Sequence, residues 1–334
     1  MPRNLPLFML AISLGFAGAA GAQTPSGAPA AQTSTPEQLV DALNGVFGKH
    51  PGARAVHAKG IVLEGTFTPG AQASGVSKAP HLQGTAVPVT VRFSDFAGIP
   101  DIPDNHELAS PRGFAIKFRL PDGSDSDIVA HSFNGFPSPT ADDFHDLLVA
   151  LGSRGANAAK PTPLDTYLAA HPVAKAFLTA PKPPPESYGT LPYFGVNTFK
   201  FVNGAGKVTY GRYQFQPVAG AHFLSGAEAA KRAADYLSTE IRARVAQAPV
   251  SFRMLLQVAA AEDKLDDPSI AWPDTRQTVE LGTISITKAV QDSDAAQRQL
   301  LFLPNALPAG IEVQDPMIDA RSAAYPVSYG RRQQ

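Results

Sequence analysis

Two stretches of strict alternation constrain this chain most. Within residues 86–96, the apolar Val87, Val89, Val91 and Phe93 alternate with Pro88, Thr90, Arg92 and Ser94. Over residues 114–120, Phe114, Ile116, Phe118 and Leu120 alternate with Ala115, Lys117 and Arg119. A period of two is the pleat of a β-strand, whose successive side chains point to opposite faces. Further strands are expected over residues 61–68, 198–203, 207–215, 250–258 and 278–287. Asn203-Gly204-Ala205-Gly206 is a hairpin signal between two of them. The strands come in runs instead of alternating with helices. No internal repeat is visible, and no Gly-rich loop joins a strand to a helix, so nothing favours a dinucleotide or P-loop fold. The expected class is α+β, with an antiparallel sheet or barrel of seven or eight strands.

Helices are expected between and after the strands. Thr35-Pro36-Glu37 is a helix start, followed by the stripe Leu39, Leu43 and Phe47. Thr140, with Asp143 three residues on, caps a helix carrying Phe144, Leu147, Leu148 and Leu151. Residues 227–245 read as one long helix and 292–301 as a shorter one. Asp315-Pro316 opens a last helix that Pro326 is expected to stop. Lys182-Pro183-Pro184-Pro185 is a rigid connector.

Composition narrows the chemistry. The chain of 334 residues has no cysteine, which removes thiolate catalysis, disulfides and cysteine-ligated metal or haem. A net charge of -1 offers no basic surplus for nucleic acid. Arg3, the apolar run 5–18 and Ala20-Gly21-Ala22 form a signal-peptide pattern too short for a comfortable membrane span. The expected organisation is a signal peptide at 1–22, a flexible leader at 23–34 and one domain at 35–334. A periplasmic location and no stable membrane insertion after cleavage are expected with it.

Three groups of residues carry candidate chemistry. Arg321 and Tyr325 are four apart on the last expected helix, so they share a face. A guanidinium there favours the ionised phenol, a hard oxygen ligand suited to ferric iron. The same spacing also arises from a surface arginine beside a core tyrosine. His57 lies in Arg54-Ala55-Val56-His57-Ala58-Lys59-Gly60, just ahead of a strand, where a structural role is the plainer alternative. Arg92 and Ser94 share one face of an otherwise apolar strand. If that face is buried, Arg92 needs an anion: a cofactor carboxylate, or a neighbour such as Glu64. His50, His81, His106, His145, His171 and His222 are scattered and suggest no metal cage.

At these positions the sequence resembles the catalase family, in particular its compact catalase-related peroxidases. The segment around His57 is similar to the family's distal-histidine segment, and Val91-Arg92-Phe93-Ser94 to its next strand. Ser110-Pro111-Arg112-Gly113-Phe114-Ala115-Ile116-Lys117-Phe118 resembles its Arg-Gly-Phe-Ala strand, and Asn197-Thr198-Phe199-Lys200-Phe201 a later core strand. Arg321-Ser322-Ala323-Ala324-Tyr325-Pro326 resembles its proximal helix. These motifs occur in the family's order and span most of residues 50–332.

The resemblance implies an antiparallel β-barrel core with surrounding helices, lacking the C-terminal helical domain of full-length catalases. It implies haem b, with Tyr325 as axial iron ligand and Arg321 holding it ionised. His57 would be the distal acid–base group, supported by Ser94. Arg54, Arg92 and Arg332 would bind the propionates, and Phe136 and Phe144 would line the distal side and the haem face. One departure stands out: His131 occupies the place of the family's distal asparagine, with Asn134 nearby. If His131 faces the pocket, turnover is expected to be pH-sensitive near its ordinary pKa of about 6.5. The expected activity is reduction of hydrogen peroxide or organic peroxides by a small organic electron donor, with at most weak catalase turnover, in a monomer or small homo-oligomer. The rivals are a haem-dependent hydroperoxide isomerase or dehydratase, and a non-enzymatic barrel that binds haem or another apolar ligand.

Overall fold

The computed structural model describes residues 33–153 and 160–334; the expected signal peptide and nearly all of the leader lie outside them. Ten strands are present among the described residues: β1 (Gly60–Pro69), β2 (Val87–Ser94), β3 (Gly113–Arg119), β4 (Asp125–His131), β5 (Tyr193–Phe194), β6 (Phe199–Val202), β7 (Val208–Pro217), β8 (Val250–Val258), β9 (Thr278–Ala289) and β10 (Ile311–Val313). They pair antiparallel in the order β10-β6-β7-β5-β4-β3-β2-β1-β9-β8. β7 also pairs with β8, closing eight strands into a barrel with β6 and β10 appended. Closure removes the unpaired strand edges that an open sheet would expose. The α+β barrel expected from the alternation is therefore present.

The alternating strands turn their large apolar residues inward. Phe93 stacks on Phe114 at 5.0 Å and on Tyr188 at 5.3 Å between ring centroids. Phe67, Phe118, Phe201, Tyr213, Phe215 and Phe252 are buried in the same cluster. Each such side chain contributes roughly 1.5–3 kcal/mol through burial, which makes this interior the main source of stability. β4 was not among the expected strands. Its outward Asp125 and Asp127 and its small Ala130 blur the alternation, and Asp127 is held by distant partners, Lys117 on the neighbouring strand at 2.8 Å and the Leu303 amide at 2.7 Å.

The helices are α1 (Pro36–Phe47), α2 (Ala73–Val76), α3 (Ala141–Gly152), α4 (Pro163–Ala170), α5 (Pro172–Thr179), α6 (Gly226–Ala229), α7 (Tyr236–Gln247), α8 (Ser293–Gln299) and α9 (Met317–Arg332). The Thr35 and Thr140 caps form as expected, with Thr35 and Gln38 in a reciprocal capping box. α4 and α5 were not anticipated; no residue of α4 is fully buried, so its sequence carries little apolar periodicity.

Two helix boundaries correct the sequence expectation. Residues 227–245 are not one helix. The chain breaks between α6 and α7 because the Ala234 carbonyl accepts from the Asp104 amide and from Lys59 Nζ, while Asp104 accepts from the Leu237 amide. Those tertiary bonds outweigh local propensity. Pro326 does not stop the last helix either, since α9 runs on to Arg332. An internal proline costs about 3 kcal/mol through its missing donor and ring clash. Burial of Ala320, Ala324 and Arg332 against the rest of the molecule offsets that cost. A second apolar cluster lies outside the barrel, where α1, α3 and α9 meet through Leu39, Val40, Leu43, Phe47, Leu148, Met317, Ala320 and Ala324.

Candidate haem-binding site

The site begins with sheet register. Ser94, Gly113 and His131 pair in one row across β2, β3 and β4, and Arg92, Ala115 and Val129 in the next. Within each strand, Phe93, Phe114 and Ala130 alternate with these residues and join the barrel interior. The outer face of three strands thus forms one wall of a pocket. α1, α3 and α9 complete it with Leu39, Leu43, Ala141, Phe144, Met317 and Ala324.

His57 sits in the loop before β1 with φ +56°, rare for a residue with a Cβ. The surrounding bonds hold it there. Its amide donates to Phe96 O at 2.7 Å, and its carbonyl accepts from Arg92. Its Nδ1 lies 3.0 Å from Asp95 O and 3.1 Å from Ser94 Oγ. A carbonyl only accepts, so Nδ1 carries the proton and Nε2 is left as the free base. Burial, then the charge of Arg92, lowers the His57 pKa to about 3, so the imidazole is neutral at ordinary pH. Gly113 makes the close approach possible: a Cβ there would lie 2.8 Å from His57 Nδ1.

Beneath this strap, Asp95 accepts from Arg112 and, at 2.8 Å, from the Tyr188 hydroxyl, all three fully buried. Such a pair is expensive to desolvate, and removing either partner would leave an uncompensated buried charge. Neither Asp95 nor Tyr188 stood out in the sequence; an acidic residue directly after a strand otherwise buried to its end was the available signal.

Arg54, Arg92 and Arg332 converge on one end of the pocket. Arg54 and Arg332 donate to the Leu300 carbonyl, Arg54 also to Gln297 O, and Arg92 to Gln297 Oε1. Among the described residues, none of the three forms an ion pair with a carboxylate. Burial lowers all three pKa values, Arg92 and Arg332 to about 10; Arg92 and Arg332 depress Arg54 further, and Arg332 depresses Arg92 against the opposing pull of Tyr188 and Asp95. Glu64, the candidate partner of Arg92, is instead exposed and 3.4 Å from Lys288. Three shielded guanidiniums that no described carboxylate pairs suit a dianion.

Across the pocket, Arg321 donates from Nε at 3.2 Å and from NH2 at 2.8 Å to the Tyr325 hydroxyl. Its NH1 donates to Asn197 Oδ1; Asn197 Nδ2 donates to Asp315 Oδ2 at 2.7 Å. Asp315 Oδ1 accepts from the Met317 amide at the start of α9. The pair spaced for one helix face is therefore braced by a chain of three further bonds, in which the roles of Asn197 and Asp315 were not legible.

His131 lines the pocket, while Asn134 does not. Both His131 ring nitrogens are buried without a hydrogen-bond partner. Burial, then Arg321, lowers its pKa to about 3. The expected pH sensitivity near 6.5 is corrected by that desolvation: a neutral imidazole persists well below that pH. Phe136 and Phe144 line the pocket with ring centroids 5.0 Å apart. His57, Ser94, Arg54, Arg92, His131, Phe136, Phe144, Arg321, Tyr325 and Arg332 are thus all brought to one pocket.

The donor set fits haem. The acid-free arginine cluster suits two propionates, the apolar walls suit a macrocycle, and the Tyr325 oxygen suits ferric iron. A family model described as Catalase matches residues 37–333. A catalase-related peroxidase of Mycolicibacterium paratuberculosis is 37% identical over 298 residues, covering 88% of this chain and 93% of that one. One from Synechococcus elongatus is 32% identical, covering 91% and 90%. The crystal structure of a fungal catalase superposes with a TM-score of 0.75 at 22% identity, over 85% of this chain and 60% of that one.

Proposed function

The chain belongs to the catalase family, and from that membership we propose that it is a haem b-dependent peroxidase that reduces hydrogen peroxide or organic peroxides with electrons from a small organic donor. The observation that carries this proposal is one apolar pocket holding both an arginine cluster without an acid and a tyrosine oxygen doubly hydrogen-bonded by Arg321. Arg54, Arg92 and Arg332 would hold the propionates, and Tyr325 the iron. When bound, haem supplies the redox iron centre at which peroxide is reduced.

The chain's own residues supply the rest. His57 Nε2 takes a proton from peroxide and returns it to the departing oxygen. Asp95 O and Ser94 keep Nδ1 protonated, so Nε2 is always the base. Low basicity suits that return, because a strongly basic imidazole would keep the proton. Arg321 fixes the Tyr325 oxygen, and the Asn197–Asp315 brace fixes Arg321. His131 places a bulky neutral imidazole where the family's asparagine amide would sit, which favours donor oxidation over dismutation. The pattern of Arg3, the apolar run 5–18 and Ala20-Gly21-Ala22 supports export to the periplasm.

The test is an absorption spectrum of the purified protein with haem, before and after one equivalent of peroxide. A haem band that responds to peroxide, followed by donor oxidation, is expected. Tyr325→Phe is expected to weaken haem retention and abolish nearly all turnover. A variant with an unchanged spectrum and full activity would end the ligand assignment.

A further inference from the structure

Lys182 is a cation that the proposed reaction leaves unused. It precedes three consecutive prolines, whose fixed backbone limits where its side chain can reach. Its Nζ lies over two aromatic rings, 4.8 Å from the centroid of Phe133 and 4.9 Å from that of Phe177. Those rings meet edge to face at 5.0 Å, and Phe177 lines the pocket. The ammonium is near enough to His131 to lower its pKa. Lys182 is therefore half-buried just outside the pocket lining, against Phe177 and on the His131 side.

Two of its three N–H groups donate to the carbonyls of Phe177 and Ala180, closing the end of α5. That capping accounts for two bonds and leaves one donor and the full charge. Burial alone lowers its pKa, and no acid near it acts in the opposite direction. Among the described residues, no carboxylate lines the pocket behind it. An organic anion reaching this rim thus meets a partly desolvated cation, the part-exposed ring of Phe133 and no carboxylate among the described lining residues.

We propose that Lys182 and the Phe133–Phe177 ring pair form a donor-binding site at the pocket rim that selects aromatic carboxylates. The carboxylate takes the third N–H of Lys182, and the aromatic body packs on the part-exposed Phe133 ring, which the buried Phe177 backs. This inference rests on the peroxidase reading and adds the class of reductant to it.

The experiment uses the haem-loaded protein with peroxide and two donors that share the phenol but differ in the charge of the side-chain end: hydroxyphenylpropionate and its methyl ester. Lys182→Met is expected to raise KM for the acid about three- to tenfold, as the loss of one partly buried ion pair implies. KM for the ester and for peroxide is expected to stay at the wild-type value. Lys182→Glu is expected to exceed that effect, and Lys182→Arg to restore the preference. Calorimetry of phenylpropionate binding to the resting protein reads the same loss without turnover. Lys175→Met, an exposed site on α5, controls for net charge. A lysine that only caps α5 would lower Tm on replacement by Met and leave the acid-to-ester ratio unchanged; that result, or an equal effect from Lys175→Met, overturns the inference. Donor oxidation with no preference between acid and ester overturns it alone, whereas a protein that takes up no haem overturns the functional reading and the inference together.

Discussion

The two faces of β2, β3 and β4 are built from alternate residues of the same strands, yet they behave as different materials. Inward, Phe93, Phe114, Ile116 and Phe118 pack into a continuous apolar interior whose stability comes from contact area. Outward, Ser94, Arg92 and His131 are also shielded from solvent, but they are held by directed bonds or left without partners. A face that satisfies itself is a core. The outward face instead opens on the pocket with the unpartnered nitrogens of His131 and with guanidiniums that no described carboxylate pairs.

Replacing His57 tests the outward face most severely. Asn tolerates the left-handed φ and removes the imidazole. His57→Asn is expected to keep haem and to slow the peroxide-dependent spectral change by about 10²–10⁴-fold, read by stopped-flow mixing. A wild-type rate would mean that another group moves the proton. Phe93→Ala is the inward counterpart. It is expected to lower unfolding free energy by about 3–5 kcal/mol in denaturant titration while each folded molecule keeps its activity. Loss of activity without loss of stability would break the distinction between the faces.

His81 sharpens the comparison, because it is an orphan imidazole on the inward side. It is fully buried near Phe67 and Phe118, and neither nitrogen has a partner. Burial lowers its pKa to about 4, below the unfolded value of 6.5. The unfolded chain therefore binds the extra proton first. The stability His81 contributes is whole above about pH 6.5 and is lost as pH falls toward about 4, by roughly 3 kcal/mol. His57 and His131 act with the same sign. His81→Leu is expected to flatten one proton's share of that decline, measured as denaturation midpoints against pH. An unchanged slope would show that His81 is solvated in solution.

The smallest effect is expected from His131→Asn. It restores the family's residue on the outward face and is expected to raise peroxide dismutation relative to donor oxidation by a few-fold, with Tm unchanged. Identical ratios at matched haem content would make His131 a wall residue only.

Legibility in the sequence followed interaction range. The alternation over residues 87–94 and 114–120, the Thr35 and Thr140 caps and the hairpin at Asn203–Gly206 were readable because each is decided within a few residues. The Arg321–Tyr325 pair was readable for the same reason, being one helical turn apart. The break between α6 and α7 was not, because its cause is Asp104 and Lys59, more than a hundred residues away. Nor was the persistence of α9 past Pro326, which rests on burial against distant elements.

By itself the sequence determined which groups are available: no thiol, a tyrosine one turn from an arginine, a histidine ahead of a strand, and strands with one apolar face. It also carried the ordered motifs that mark the family. Only the tertiary structure decided which of those groups meet. Sheet register put Ser94, Gly113 and His131 in one row, and barrel closure with α8 and α9 brought Arg54, Arg92 and Arg332 together. It also decided that the His57 and His131 imidazoles stay neutral and that Glu64 does not reach Arg92. The reason is physical: charge state and partnership depend on desolvation and on distances between atoms far apart along the chain, and neither quantity exists until the chain has folded.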